Sequence, residues 1–105
     1  MLHSAVEVEF DPAKDAINRA KHGVSLALAA DMDLTTAVIV PDRRYPYGED
    51  RFQAIGPVAG RLYLLAFTMR GGTVRAISMR TASRRERKRY AQSNKTSAHL
   101  PGGLG

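Results

Sequence analysis

The sequence predicts an α+β fold: an antiparallel sheet of about four strands in a meander, with two N-terminal helices and one C-terminal helix. Three observations carry this. Residues 11–32 hold two capped helical patterns, residues 36–80 fall into short strand-like runs separated by turn signals, and a capping box at Ser83 opens a last helix. A chain of 105 residues holds one domain, assigned to 1–92, with 93–105 as a flexible C-terminal tail.

Val6–Phe10 reads as a short opening strand. Asp11 suits an N-cap and Pro12 the first helical position, where a missing N–H costs nothing. Ala13, Ala16, Ile17 and Ala20 then form one narrow apolar face, expected to pack inward, and Gly23 ends the helix as a left-handed cap. Ser25 caps a second helix over Leu26–Met32, apolar nearly all round and so expected to be buried. Thr36–Val40 is a β-branched strand stopped by Pro41, and Asp42–Asp50 is a polar loop. Arg51–Pro57, Arg61–Met69 and Thr73–Arg80 follow as strands, the last two joined at Gly71-Gly72. A regular hairpin there sets Thr68 opposite Arg75, Leu64 opposite Met79 and Tyr63 opposite Arg80. Ser83 and Glu86 form a capping box for a helix of about ten residues ending at Gln92. Beyond it, SNKTSAHLPGGLG has no period.

Composition narrows the function. No cysteine is present, which excludes disulfides, thiolate zinc sites and cysteine nucleophiles. The longest apolar run, Leu62–Phe67, is far too short to span a membrane, and the N-terminus lacks a signal-peptide core, so a cytoplasmic protein is expected. The net charge of +6 is concentrated: residues 70–89 carry eight basic side chains and a single acid, Glu86. Such a surface suits a polyanion or a strongly acidic protein partner, although a basic helix run is also a common solvated face.

Several runs resemble one family in order and spacing: Asp11-Pro12-Ala13-Lys14, Lys21-His22-Gly23-Val24-Ser25, Gly48-Glu49-Asp50-Arg51, Ile55-Gly56, Val74-Arg75-Ala76-Ile77-Ser78, Arg80-Thr81-Ala82-Ser83 and Glu86-Arg87 with Tyr90. Together they resemble the BrnT toxins of bacterial type II toxin–antitoxin systems over about residues 6–92. Phe10, Asp50 and Gly71-Gly72 depart from the usual pattern, where Trp, Glu and an acidic turn residue are commoner. The resemblance implies a RelE-like fold of the RelE/ParE type. It also implies a ribonuclease that blocks translation until bound by a BrnA-like antitoxin.

The residues offer chemistry for that activity. Histidine is the side chain type best suited to moving protons, and His22 is the credible carrier because His3 and His99 lie in segments without fixed surroundings; Lys21 and Tyr63 are the alternatives. Lys21-His22 equally suits a helix C-terminus, and Tyr63 equally suits strand packing. Arg51, Arg75 and Arg80 present permanently charged guanidinium groups to a phosphate, against a structural alternative of pairing with Glu49 or Glu86. Glu86 reads first as a helix cap, and Tyr90 as the anchor of the last helix. Arg84, Arg85 and Arg87 are placed to bind flanking RNA phosphates.

Carboxylate spacing supports no metal site, and no cofactor is expected. The expected activity is metal-independent endoribonuclease cleavage. The competing reading is a non-catalytic basic module for an acidic antitoxin segment or the ribosome. The expected assembly is a 2:2 complex with a ribbon-helix-helix antitoxin, which alone would touch DNA.

Overall fold

A computed structural model of the chain describes residues 7–99. In chain order it contains β1 (Val8–Glu9), α1 (Pro12–His22), a 3-10 helix (Leu26–Asp31), β2 (Val38–Pro41), β3 (Phe52–Val58), β4 (Arg61–Arg70), β5 (Thr73–Thr81) and α2 (Arg84–His99). The α+β class and the β2-to-β5 meander are as expected. The sheet, however, has five strands in the order β1-β5-β4-β3-β2 and is mixed, because β1 runs parallel to β5. That pairing joins Val8 to Val74 across most of the chain, so no local turn signal announces it.

The caps form as their chemistry dictates. Asp11 Oδ1 accepts from the Ala13 N–H at 2.9 Å, and Ser25 Oγ from the Ala27 N–H at 3.1 Å. Gly71 and Gly72 both take positive φ, 56° and 85°, the two-residue turn that glycine makes without strain. The second predicted helix is a 3-10 segment, tied to α1 through Asp15 Oδ1, which accepts from the Leu26 N–H at 2.6 Å. The last helix runs on past Gln92 to His99; the rest of the expected tail, from Leu100, lies outside the described residues, as do Val6 and His3.

Two expectations about packing are overturned. The apolar stripe of α1 points outward: Ala13, Ala16, Ile17 and Ala20 are exposed, Ile17 by 64%. Its one buried residue is Asn18. The Asn18 amide nitrogen donates to the carbonyls of Val24 and Met79, both at 2.8 Å, while its oxygen accepts the Met79 N–H at 3.0 Å. Polar pairing with a strand backbone holds this helix, where the sequence suggested apolar burial.

The β4–β5 hairpin also departs from a regular ladder. Thr68 faces Arg75 as expected, and Phe67 faces Ala76, but Ala66 then faces Ser78. Ile77 is an extra residue, a β-bulge, and beyond it the pairs become Leu65–Met79, Leu64–Arg80 and Tyr63–Thr81. A one-residue slip exchanges faces. Met79 therefore joins Leu65, Phe67, Val74 and Ala76 in the core beneath the 3-10 helix. Arg80 and Ser78 move to the opposite face, with Leu64, Ala66, Thr68 and Arg75. That face carries a smaller apolar cluster of Ile55, Leu64 and Ala82, covered by Leu62, Val38 and Tyr90 of α2. Gly56 packs where β3 crosses Met32 and Ala37, and a Cβ there would meet both at 3.0–3.1 Å.

Replacing Asn18 by Leu should lower stability by about 3 kcal/mol, because it strands the Met79 N–H and C=O in a buried setting. Ile17→Ala should change stability by less than about 0.5 kcal/mol. Urea denaturation of the two variants checks both, and the reverse ranking would restore the apolar-face expectation.

Candidate nucleic-acid interface

Strand register places the arginines. Arg75 on β5 lies opposite Thr68 on β4. The β3–β4 ladder starts at Phe52–Phe67, so Arg51, just ahead of β3, continues it opposite Thr68. Phe52 packs into the main core, and alternation turns Arg51 to the other face. Arg51, Thr68 and Arg75 thus form one row across three strands, with the arginine Cα atoms about 10 Å apart. A second row, Arg80 and Leu64, lies four residues along β4, about 13 Å away. Between them, Gln53, Ala66 and Ser78 form a floor of mostly short side chains. The apolar cluster beneath α2 stops at Ile55 and Leu64, and the rest of this face is partly open: Arg51, Gln53, Ala66, Arg75 and Ser78 are half-buried and Thr68 is buried.

Each arginine is held by a carboxylate. Arg75 Nη1 donates to Glu9 Oε2 at 2.9 Å, a pairing the sequence did not suggest. Arg51 Nε donates to Glu49 Oε2 at 3.2 Å, and Arg70 stands 3.6 Å from the same carboxylate. Arg80 grips Glu86 with two parallel bonds, both 2.9 Å. The capping box is also real: Glu86 Oε1 accepts from the Ser83 N–H at 2.8 Å, and the Ser83 hydroxyl from the Glu86 N–H at 3.2 Å. The Arg80 guanidinium, and then the Ser83 backbone, hold the Glu86 carboxyl below its ordinary range despite partial burial. Glu86 is therefore both a helix cap and the brace of Arg80.

The face is unevenly charged. Among the described residues, Arg84, Arg85, Lys88 and Arg89 of α2 have no carboxylate partner, whereas Arg87 donates to the Ala82 carbonyl at 3.0 Å. Basic character therefore continues from the sheet face onto α2. Because β1 and Asn18 flank β5, this basic strand is not a free sheet edge.

The proposed proton carriers lie elsewhere. Tyr63 is on the core face, beside Val24 and Leu28 of the layer beneath the sheet. His22 is half-buried and Lys21 exposed at the end of α1. Among the described residues neither they nor Tyr63 bond to any of the three arginines. Asn18 fixes α1 at Met79, and His22 follows one turn later on the same helix face.

The Asp42–Asp50 loop, expected only to be polar, is built around a charged centre. Asp42 is buried and accepts from Arg44 Nε and Nη2, both at 2.9 Å, from the Arg44 N–H at 3.2 Å, and from the Tyr47 hydroxyl at 3.2 Å. Chiefly through the Arg44 bonds, its carboxyl is pulled down to about 2. The Arg51 guanidinium lies over the Tyr47 ring, 4.0 Å from its centre. Tyr and Arg interleaved between two strands was the signal for this cluster.

Among the described residues, no three His, Asp or Glu side chains gather as a metal-binding group. No helix among them is long and apolar enough to cross a membrane.

Fold and site define a small α+β domain with a one-sided, arginine-bearing sheet continued by a basic helix. Residues 10–86 match the family described as "Ribonuclease toxin, BrnT, of type II toxin-antitoxin system". The chain belongs to this BrnT family of ribonuclease toxins. No curated protein matches it.

Both depressed carboxyls stabilise the fold above their unfolded values, near pH 4, and lose that contribution as pH falls through their folded values. Glu86→Gln and Asp42→Asn should thus be less stable than the parent at pH 7. The deficit should shrink below pH 4, for Asp42 continuing down to about pH 2. Thermal melts across pH 2–7 test the sign, and a deficit that grows on acidification would contradict it.

Proposed function

We propose that this toxin is a metal-independent endoribonuclease acting on single-stranded RNA. The 2′-OH attacks the adjacent phosphate, leaving a 2′,3′-cyclic phosphate and a 5′-OH. The observation that carries this reading is the shared, partly open face of Arg75 and Arg80, which a regular strand would turn to opposite sides. Planar guanidinium groups at both ends of a floor of mostly short side chains suit a phosphate whose charge grows in the transition state.

Arg75 uses one nitrogen on Glu9, so its remaining donors are available to the scissile phosphate. Arg80, locked on Glu86, supplies fixed positive charge, and Arg51 extends the row. His22, with Lys21 and Tyr63 as alternatives, moves the protons; Tyr63 is the weaker candidate because it lies on the core face, away from the arginines. Arg84, Arg85 and Arg87 bind flanking phosphates. The second reading, a module without chemistry for an acidic antitoxin segment or the ribosome, draws on the carboxylates that already occupy the sheet arginines.

Purified Arg75→Ala and Arg80→Ala proteins should keep their fold and lose cleavage about 100-fold or more. His22→Ala should lose a similar factor. Cleavage should persist in EDTA and yield cyclic phosphate termini. Undiminished cleavage in both His22→Ala and Arg80→Ala would point to a contaminating nuclease, or favour the binding module.

The partner reading is a BrnA-like ribbon-helix-helix dimer carrying two toxin copies, bound through the basic sheet face and α2. Light scattering on the co-purified pair should give a 2:2 mass. Charge reversal at Arg84, Arg85 and Arg87 should dissociate it, and a 1:1 mass or an undisturbed complex would overturn it.

A further inference from the structure

The loop between β2 and β3 is rigid for polar reasons, yet it presents an aromatic surface. Its base closes where the Asp42 N–H donates to the Arg51 carbonyl at 2.7 Å, and its interior is the Asp42 carboxylate with four donors. On that frame, Tyr45 meets Tyr47 edge-on, with ring centres 5.7 Å apart. The Arg44 guanidinium lies 5.9 Å from the Tyr45 ring centre, and Arg51 covers Tyr47. Guanidinium, ring, ring and guanidinium therefore run in series from Arg44 to Arg51, the first residue of the arginine row. Tyr47 is half-buried and its hydroxyl is committed to Asp42. Tyr45, in contrast, is 65% exposed, on a surface hollow lined by residues 41–52. Arg43 beside it is exposed and, among the described residues, has no carboxylate partner.

We propose that this loop is a subsite for single-stranded RNA, in which Tyr45 stacks on the base of a nucleotide flanking the scissile phosphate and Arg43 binds that nucleotide's backbone phosphate. The inference rests on the RNA-cleaving reading above and adds where the strand leaves the arginine row. Every base has a π-face, so such a platform adds affinity with little sequence preference. Guanidinium groups on both rings suit a ligand alternating bases with phosphates better than an acidic peptide, which offers carboxylates and few planar groups. Immobilising the loop in advance through Asp42 lowers the ordering cost of binding.

The test is fluorescence anisotropy of the intact chain with a 2′-O-methyl oligoribonucleotide, which lacks the attacking hydroxyl and is not cleaved. Tyr45→Ala should weaken binding about tenfold or more, and Tyr45→Phe should stay within about twofold of the parent. Arg43→Ala should reduce the salt dependence by about one phosphate contact. Removing one base from the oligonucleotide at the stacked position should cost the parent the same factor and Tyr45→Ala nothing further. Unchanged RNA affinity in Tyr45→Ala overturns the subsite while leaving the nuclease reading intact. A parent protein that binds no RNA overturns both. Loss confined to the antitoxin complex would reassign Tyr45 to a protein contact and also overturn the proposal.

Discussion

One extra residue in β5 organises this molecule. The bulge at Ile77 has three consequences that stand or fall together. It sends Met79 into the core against Leu65. It turns the Met79 N–H and C=O away from β4, where the carboxamide of Asn18 meets both. And it brings Arg80 onto the face of Arg75, although five residues separate them. The outer edge of β5 shows the same change of parity. Val74 donates outward to the Glu7 carbonyl at 2.9 Å, and Met79, an odd number of residues later, also points outward. Without the bulge the outward N–H and C=O at this level would be those of Ser78 or Arg80 in place of Met79, and the two arginines would lie on opposite faces of the sheet.

Electrostatics divides the cationic surface into two parts. Arg75, Arg51 and Arg80 are each braced by a carboxylate, Glu9, Glu49 (shared with Arg70) and Glu86, so much of their charge is offset while guanidinium direction is well defined. α2 is the reverse: its arginines are exposed and largely unpaired, a strong field with little geometric definition. The first arrangement suits positioning of one phosphate, the second attraction and loose tracking of a strand. Glu86 joins the two. One carboxylate starts α2 and braces Arg80, so the basic helix and this arginine are oriented by the same group.

What the sequence made legible was local. Caps at Asp11, Ser25 and Ser83, the Gly71-Gly72 turn and the four-strand meander all rest on neighbours within a few residues, and all are present. The errors came from distance. The β1–β5 pairing, the Asn18–Met79 bonds and the Glu9–Arg75 pair each join segments more than sixty residues apart. The bulge is invisible in a run as regular as Val74–Met79, because it exists only relative to β4. For the site, Arg51, Arg75 and Arg80 were legible as residue types, but their common face was not. Glu86 was legible both as a cap and as an arginine partner, but its serving Ser83 and Arg80 at once was not. The loop cluster had a signal, Tyr45-Pro46-Tyr47 flanked by arginines, that a reading for turns passed over.

The outward stripe on α1 follows from how that helix is held. Three alanines and one isoleucine bury little area, so apolar docking at about 25 cal/mol per Å2 would have held it weakly and allowed it to slide. Asn18 on Met79 and Asp15 on Leu26 are directional instead: each fixes the helix at one residue of its neighbour. A helix anchored in this way need not present its apolar side to the core, and here it does not. Directional anchoring also fixes whatever lies one turn further on. His22, one turn after Asn18 on the same helix, takes its position from the Asn18–Met79 bonds rather than from apolar burial.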